Sequence, residues 1–128
     1  MKRVLFAAAA LVFSVGTAMA DPIVGTTWKT NVDDGKYAHI KMEQCGSKIC
    51  GRIIKSFEGG KAYVSESQGK NLVSQMTAAG NGKYKGGKIW EPSSDKKYKS
   101  SMSMNGQKLR VKGCWGPICK KYDWTLVK

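Results

Sequence analysis

Cys114 and Cys119 are separated by four residues and stand between two runs in which apolar and polar side chains alternate. Joining two such cysteines locally requires their backbones to face each other at short range, and alternating runs on either side then pair as an antiparallel hairpin. With Cys114 opposite Cys119, Val111 meets Tyr122 and Leu109 meets Trp124 on one face, whereas Arg110 meets Asp123 and Lys112 meets Lys121 on the other. One apolar face and one charged face are what a sheet with a single buried side demands.

The Asn105-Gly106 step just before this hairpin is the strongest turn signal in the chain, a type I′ turn needing positive φ at both central positions. Such a turn sets Met102 opposite Leu109 and Ser100 opposite Val111 inside. Outside, it sets Ser103 opposite Lys108, Ser101 opposite Arg110 and Lys99 opposite Lys112. Two separate turn signals therefore agree on which side is core.

The other Cys-x4-Cys pair, Cys45 and Cys50, follows a clean alternation in which Ala38, Ile40 and Met42 point inward and Tyr37, His39, Lys41 and Glu43 outward. If Cys45 faces Cys50, Met42 lies opposite Ile53 and Glu43 opposite Arg52. A tight turn at Gly46-Ser47 keeps the same faces and pairs Ile40 with Ile53 instead, so the faces are better defined than the register.

No segment after Ala20 sustains a helical period, and alternation with glycine-rich breaks recurs along the chain. The expected fold class is all-β: a small antiparallel barrel of about seven to eight strands, pinned by two local disulfides. Residues 23–30 form a first strand carrying Gly25 and Trp28, and Asp33-Asp34-Gly35 has turn chemistry. The polar stretch 56–70 reads as a long surface loop, and 71–79 fits either a strand or a helical turn. In the strand expected over 82–90, Gly86-Gly87 marks a bulge or bend.

Met1-Lys2-Arg3, the apolar run from Val4 to Val15 and the small-x-small site Ala18-Met19-Ala20 make residues 1–20 a secretory signal peptide, with cleavage expected before Asp21. The run is too short to cross a bilayer, and no transmembrane segment is expected in 21–128, a single β-barrel domain and a monomer. Four cysteines in an exported chain read as two disulfides, in a bacterial periplasm or a secreted protein. Three connectivities exist and the local one is preferred; export argues against four thiolates holding zinc. The formal charge of the whole chain is +13. A positive field favours anionic partners, and it also simply keeps a protein soluble.

Several segments together resemble the exported bacterial family called domain of unknown function 2147. They are Asp21 through Trp28, Cys45-Gly46-Ser47-Lys48-Ile49-Cys50-Gly51-Arg52-Ile53, Gly86 through Pro92, Lys97-Tyr98, and Leu109 through Cys114 on to Trp124. The resemblance spans essentially all of residues 21–128, and Cys-Gly-x-x-Ile-Cys-Gly is its most specific part. The chain departs from the family pattern over 56–76 and in having Trp90-Glu91-Pro92 where Tyr-Asp-Pro is common. The resemblance implies a calycin-like barrel, similar in outline to lipocalins, and no established activity. Gly25-Thr26-Thr27-Trp28 is similar to the lipocalin Gly-x-Trp, with one residue more.

Catalytic chemistry is sparse. His39 is the sole histidine and falls on a polar strand face; Glu91 and Asp95 suit a turn and Asp123 an ion pair, so no catalytic residue, metal or cofactor is expected. A carboxylate-dependent hydrolase ranks third among the possible functions. First is a non-enzymatic binding protein holding a small apolar or amphipathic molecule among the inward-facing Trp28, Met42, Met102, Tyr122 and Trp124; the rival interior is a filled core. Second is an interaction protein that meets an anionic envelope component or a protein partner through Lys99, Lys112, Lys121 and the loop tryptophan Trp115. Nucleic acid is set aside because that basic strip has no aromatic stacking row on its own face.

Overall fold

The computed structural model describes residues 20–128, so the expected signal peptide lies, save for Ala20, outside the described residues. Nine strands follow: β1 (Thr27–Lys29), β2 (Lys36–Cys45), β3 (Lys48–Glu58), β4 (Lys61–Tyr63), β5 (Asn71–Gly80), β6 (Lys83–Glu91), β7 (Lys96–Asn105), β8 (Lys108–Trp115) and β9 (Ile118–Leu126). Eight of them close an antiparallel barrel, because β1 pairs with both β2 and β9 and β2 pairs with β3. β4 is a short flap hairpinned onto β3. Closure leaves no long unpaired edge, which a chain of strands in this number otherwise has to protect.

The β8–β9 hairpin has the register that its cysteines dictate: Cys114 pairs with Cys119, Val111 with Tyr122, Leu109 with Trp124 and Lys112 with Lys121. Cys45 and Cys50 are also joined, but through the other register weighed above. Gly46 and Ser47 form the turn, Ile40 pairs with Ile53, and Cys45 and Cys50 are diagonal neighbours. Glu43 still reaches Arg52 across that diagonal, accepting from Nε at 2.9 Å and Nη2 at 2.8 Å.

The β7–β8 turn departs from expectation by one position. Asn105 pairs with Lys108, so Gly106 and Gln107 are the central residues and only Gly106 has positive φ (63°). Every β7 residue consequently faces a β8 residue two further on. Met102 opposes Val111, Ser100 opposes Gly113 and Lys99 opposes Cys114, not Lys112. The two-residue shift preserves the faces, which is why apolar pattern alone could not detect it.

Two further expectations are corrected. The first strand is only Thr27–Lys29, since residues 21–25 form a turn under the barrel. The stretch 56–70 is not all loop: β3 runs into it and β4 folds back. Residues 71–80 resolve as strand, and β6 carries the expected bulge, its register with β7 shifting between Tyr84 and Gly87, where Gly86 has φ 74°.

Trp28, Ile40, Met42, Met76, Met102 and Leu109 pack the closed half of the barrel, and each is buried. The N-terminal turn plugs this end with Ile23, itself fully buried. Asp21 holds the turn, its carboxylate accepting from the Ile23 amide at 3.0 Å and from the Tyr84 hydroxyl. Burial, and then this bond to a carboxylate, push the Tyr84 phenol well above its ordinary range. Thr26 Oγ1 accepts from the Trp28 indole at 2.7 Å, satisfying the one polar atom of a deeply buried ring.

Candidate functional site

The other half of the barrel is open, and the cause is a row of small residues. Gly87, Ser100 and Gly113 are paired side by side across β6, β7 and β8. Below them the row Tyr84, Met102, Val111, Tyr122 supplies bulk to the core; above them stand Ile89 and Tyr98. Met76 occupies the space over Gly87, while a Cβ at Gly113 would meet only the Ile89 Cγ2 at 3.1 Å. With no side chain at Gly113 and a short one at Ser100, the packed layer ends there and a cup begins.

The cup has a volume of about 680 Å³. Its walls are largely apolar and aromatic: Ile53, Leu72, Ile89, Tyr98, Tyr122 and Trp124. Ser56, Ser65 and Ser67 contribute hydroxyls on one side, and the Ser56 and Ser65 oxygens lie 2.9 Å apart in a hydrogen bond. Lys36, Lys96 and Lys120 stand among the lining residues together with Asp33 and Glu91. The Ser100 hydroxyl, inward-facing beside Gly113, is buried with no partner among the described residues. At the mouth Trp115 and Ile118 face one another across the β8–β9 turn and are exposed, Trp115 at 72%.

The sequence-based ligand residues divide between the two halves. Tyr122 and Trp124 line the cup; Trp28, Met42 and Met102 belong to the packed core and do not. The interior is thus filled at one end and hollow at the other. Trp115, expected to act with the basic outer strip, instead lines the mouth of the cup. Leu72, Ile53 and Gly113 were not singled out as site residues. An inward Ile or Leu reads equally as core, and the Ser100–Gly113 pairing shows only once the β7–β8 register is known.

Lys112 and Lys121 do oppose each other outside the barrel, and they border a shallow outer groove of about 350 Å³ with Lys83, Lys85, Arg110, Ser101 and Ser103. Lys99 lies on the same outer side, opposite Lys88 of β6. Arg110 binds Asp123 through Nε at 2.9 Å and Nη2 at 3.2 Å, which holds that carboxyl below its usual range.

His39 sits in a different outer cluster, between Lys29 of β1 and Lys55 of β3, with its ring 4.7 Å from Phe57, itself stacked on Tyr37. Desolvation and the two ammonium groups lower its pKa. Glu91 accepts from Ser94 Oγ at 2.5 Å and the Tyr98 hydroxyl at 3.2 Å, and Asp95 accepts from the Trp90 indole at 2.9 Å. Glu91 and Asp95 are therefore engaged in a turn and Asp123 in an ion pair. Among the described residues no cluster of three His, Cys, Asp or Glu side chains could hold a metal.

The fold is similar to that of protein HP1028 from the human pathogen Helicobacter pylori, described as belonging to the lipocalin family, with a TM-score of 0.66 and 18% sequence identity over 85% of each chain. At that identity the likeness concerns the fold alone. No curated protein matches the sequence. The model of the bacterial family described as "Uncharacterized protein conserved in bacteria (DUF2147)" matches residues 26–126, and the chain belongs to that family.

Proposed function

We propose that this protein is a non-enzymatic binding protein of the bacterial periplasm, and that it holds a small amphipathic molecule with its apolar part in the cup. The observation that carries the reading is the cup: its volume falls within the ~300–1,000 Å³ usual for small-molecule sites, and its walls are apolar with a few polar groups. Tyr98, Tyr122 and Trp124 offer rigid apolar surface. Ser56, Ser65 and Lys120 can orient a polar or anionic head. The secretory leader read from residues 1–20 supports the compartment.

Titration of residues 21–128 with lauric acid and with lysophosphatidylcholine, followed by tryptophan fluorescence, tests this directly, because Trp90, Trp115 and Trp124 line the cup. Saturable binding that is lost in Gly113→Leu supports the reading. Absence of binding to either probe, together with nothing retained on the protein purified from its native compartment by mass spectrometry, overturns it.

A further inference from the structure

Charge is segregated on this barrel in a way that does not follow the order of the sequence. Most carboxylates lie on loops or strand ends beside the cup: Asp33 and Glu91 line it, Asp34 and Glu66 adjoin lining residues, and Glu58 pairs with Lys36. On the outward positions of β6 to β9 the reverse holds. Lys83, Lys85, Lys88, Lys99, Arg110, Lys112 and Lys121 gather there with one acid, Asp123, already bonded to Arg110. Lys88 directly opposes Lys99, and Lys112 directly opposes Lys121. Like charges in direct opposition destabilise a sheet. The β6 bulge contributes to this arrangement, since its extra residue changes the phase of the alternation and turns Lys88 outward after Lys83 and Lys85.

The groove on this face has a definite layout. Lys83 and Lys85 form one side, Ser101 and Ser103 of β7 lie between, and Lys112 and Lys121 form the other side together with Arg110, whose guanidinium is already bonded to Asp123. The two cationic sides are two to three strand spacings apart, about 10–14 Å. A ligand matching it carries two anionic groups at that separation, joined by a hydrogen-bonding body narrow enough to lie over the serines. None of the exposed large apolar residues, Val32, Tyr63, Val64, Trp115, Ile118 and Val127, lines this groove. It therefore has no wedge for a bilayer and no platform for stacked bases. A nucleic-acid duplex is a convex rod and would touch a convex barrel along a line, leaving the groove unfilled.

We propose that the β6–β9 outer groove is a second binding site, for a saccharide phosphorylated at both ends. A disaccharide places two phosphates far enough apart to engage Lys83/Lys85 and Lys112/Lys121 together while its hydroxyls meet Ser101 and Ser103. Each phosphate accepts charge-assisted hydrogen bonds from two ammonium groups, and the one beside Lys112 and Lys121 relieves their mutual repulsion. The site is independent of the cup.

Calorimetric titration of residues 21–128 tests it with three probes: a glucosamine disaccharide bearing a phosphate at each end, the same disaccharide with one phosphate, and the unphosphorylated sugar. The bisphosphate is expected to bind at least about tenfold more tightly than the monophosphate, as one further charge-assisted contact requires. K83Q/K85Q and K112Q/K121Q are each expected to reduce the bisphosphate to the monophosphate level. K41Q/K55Q, which removes the same charge from strands across the barrel, leaves binding within twofold. Gly113→Leu leaves it unchanged, so failure of the cup reading and failure of this one are separable. Equal affinity for the two phosphorylated probes, an equal loss in K41Q/K55Q, or equally tight binding of duplex DNA at the same salt would each overturn the proposal in favour of net charge alone.

Discussion

Changing Gly87 or Gly113 to Ala is the same chemical step at two inward positions flanking Ser100, and the barrel predicts opposite outcomes. Neither glycine has positive φ, so backbone strain is equal and absent. A Cβ on Gly87 would lie 2.5 Å from Met76 Sδ, 2.8 Å from Met76 Cε and 2.7 Å from the Ser74 carbonyl oxygen. Met76 can move its flexible end, but the Ser74 oxygen is backbone of the neighbouring strand, so β5 and β6 must separate. Overpacking of this kind costs about 1–3 kcal/mol, against which removing a strand glycine returns roughly 0.5–1 kcal/mol. The net is a destabilisation centred near ~1 kcal/mol and reaching about 2.5 kcal/mol, and each kcal/mol lowers the midpoint by roughly 4–8 °C in a domain of this size. At Gly113 the sole close neighbour is the tip of Ile89 at 3.1 Å, with the cup beyond. There the glycine term dominates, and Gly113→Ala should lie within about 1 kcal/mol of the parent, on the stabilised side. Urea and thermal unfolding with the disulfides intact measure both. Equal effects at the two sites, or a larger loss at Gly113, would refute the claim that the packed layer ends there.

Gly113→Leu puts a branched side chain into the floor of the cup beside Ile89, so it should weaken lauric acid binding at least about tenfold, the value of roughly 1.4 kcal/mol of lost contact, in a fluorescence titration. Tyr84 has a raised folded pKa, so its contribution is complete below the ordinary phenol value of about 10 and declines as pH rises past it, because the unfolded chain ionises first. Tyr84→Phe should flatten stability between pH 9 and 11; an unchanged slope in urea unfolding would assign the alkaline loss elsewhere. Lys112→Gln removes a directly opposed like charge and is expected to stabilise the free protein by ~0.2–1 kcal/mol at low salt, an effect that shrinks as salt is added. Replacing Cys114 and Cys119 by Ser should cost about 2 kcal/mol in chemical denaturation, because only a short loop is closed.

The face of nearly every strand residue was legible in the sequence because side-chain direction has period two and one side of each strand is buried. Tyr122 and Trp124 were placed inside on that basis, and Lys112 and Lys121 outside. What period two cannot supply is register. The β7–β8 shift by two residues moved Lys99 from Lys112 to Cys114 and Ser100 from Val111 to Gly113 without exposing one apolar side chain. Nor could inwardness separate core from cup. Met102 and Tyr122 are both inward and share a row, yet only Tyr122 reaches the cavity.

By itself the sequence determined an all-β chain, the local pairing of its cysteines and the polarity of its strand faces, because each is a short-range consequence of alternation, turn chemistry and neighbouring thiols. The tertiary structure alone decided where the interior stops being solid. That depends on Gly87, Ser100 and Gly113, residues far apart along the chain that become neighbours only after three strands pair. It decided the basic groove for the same reason, since Lys83 and Lys121 share a surface only when β6 to β9 lie side by side. Cavities and charge fields are sums over residues that closure brings together, and no local pattern encodes them.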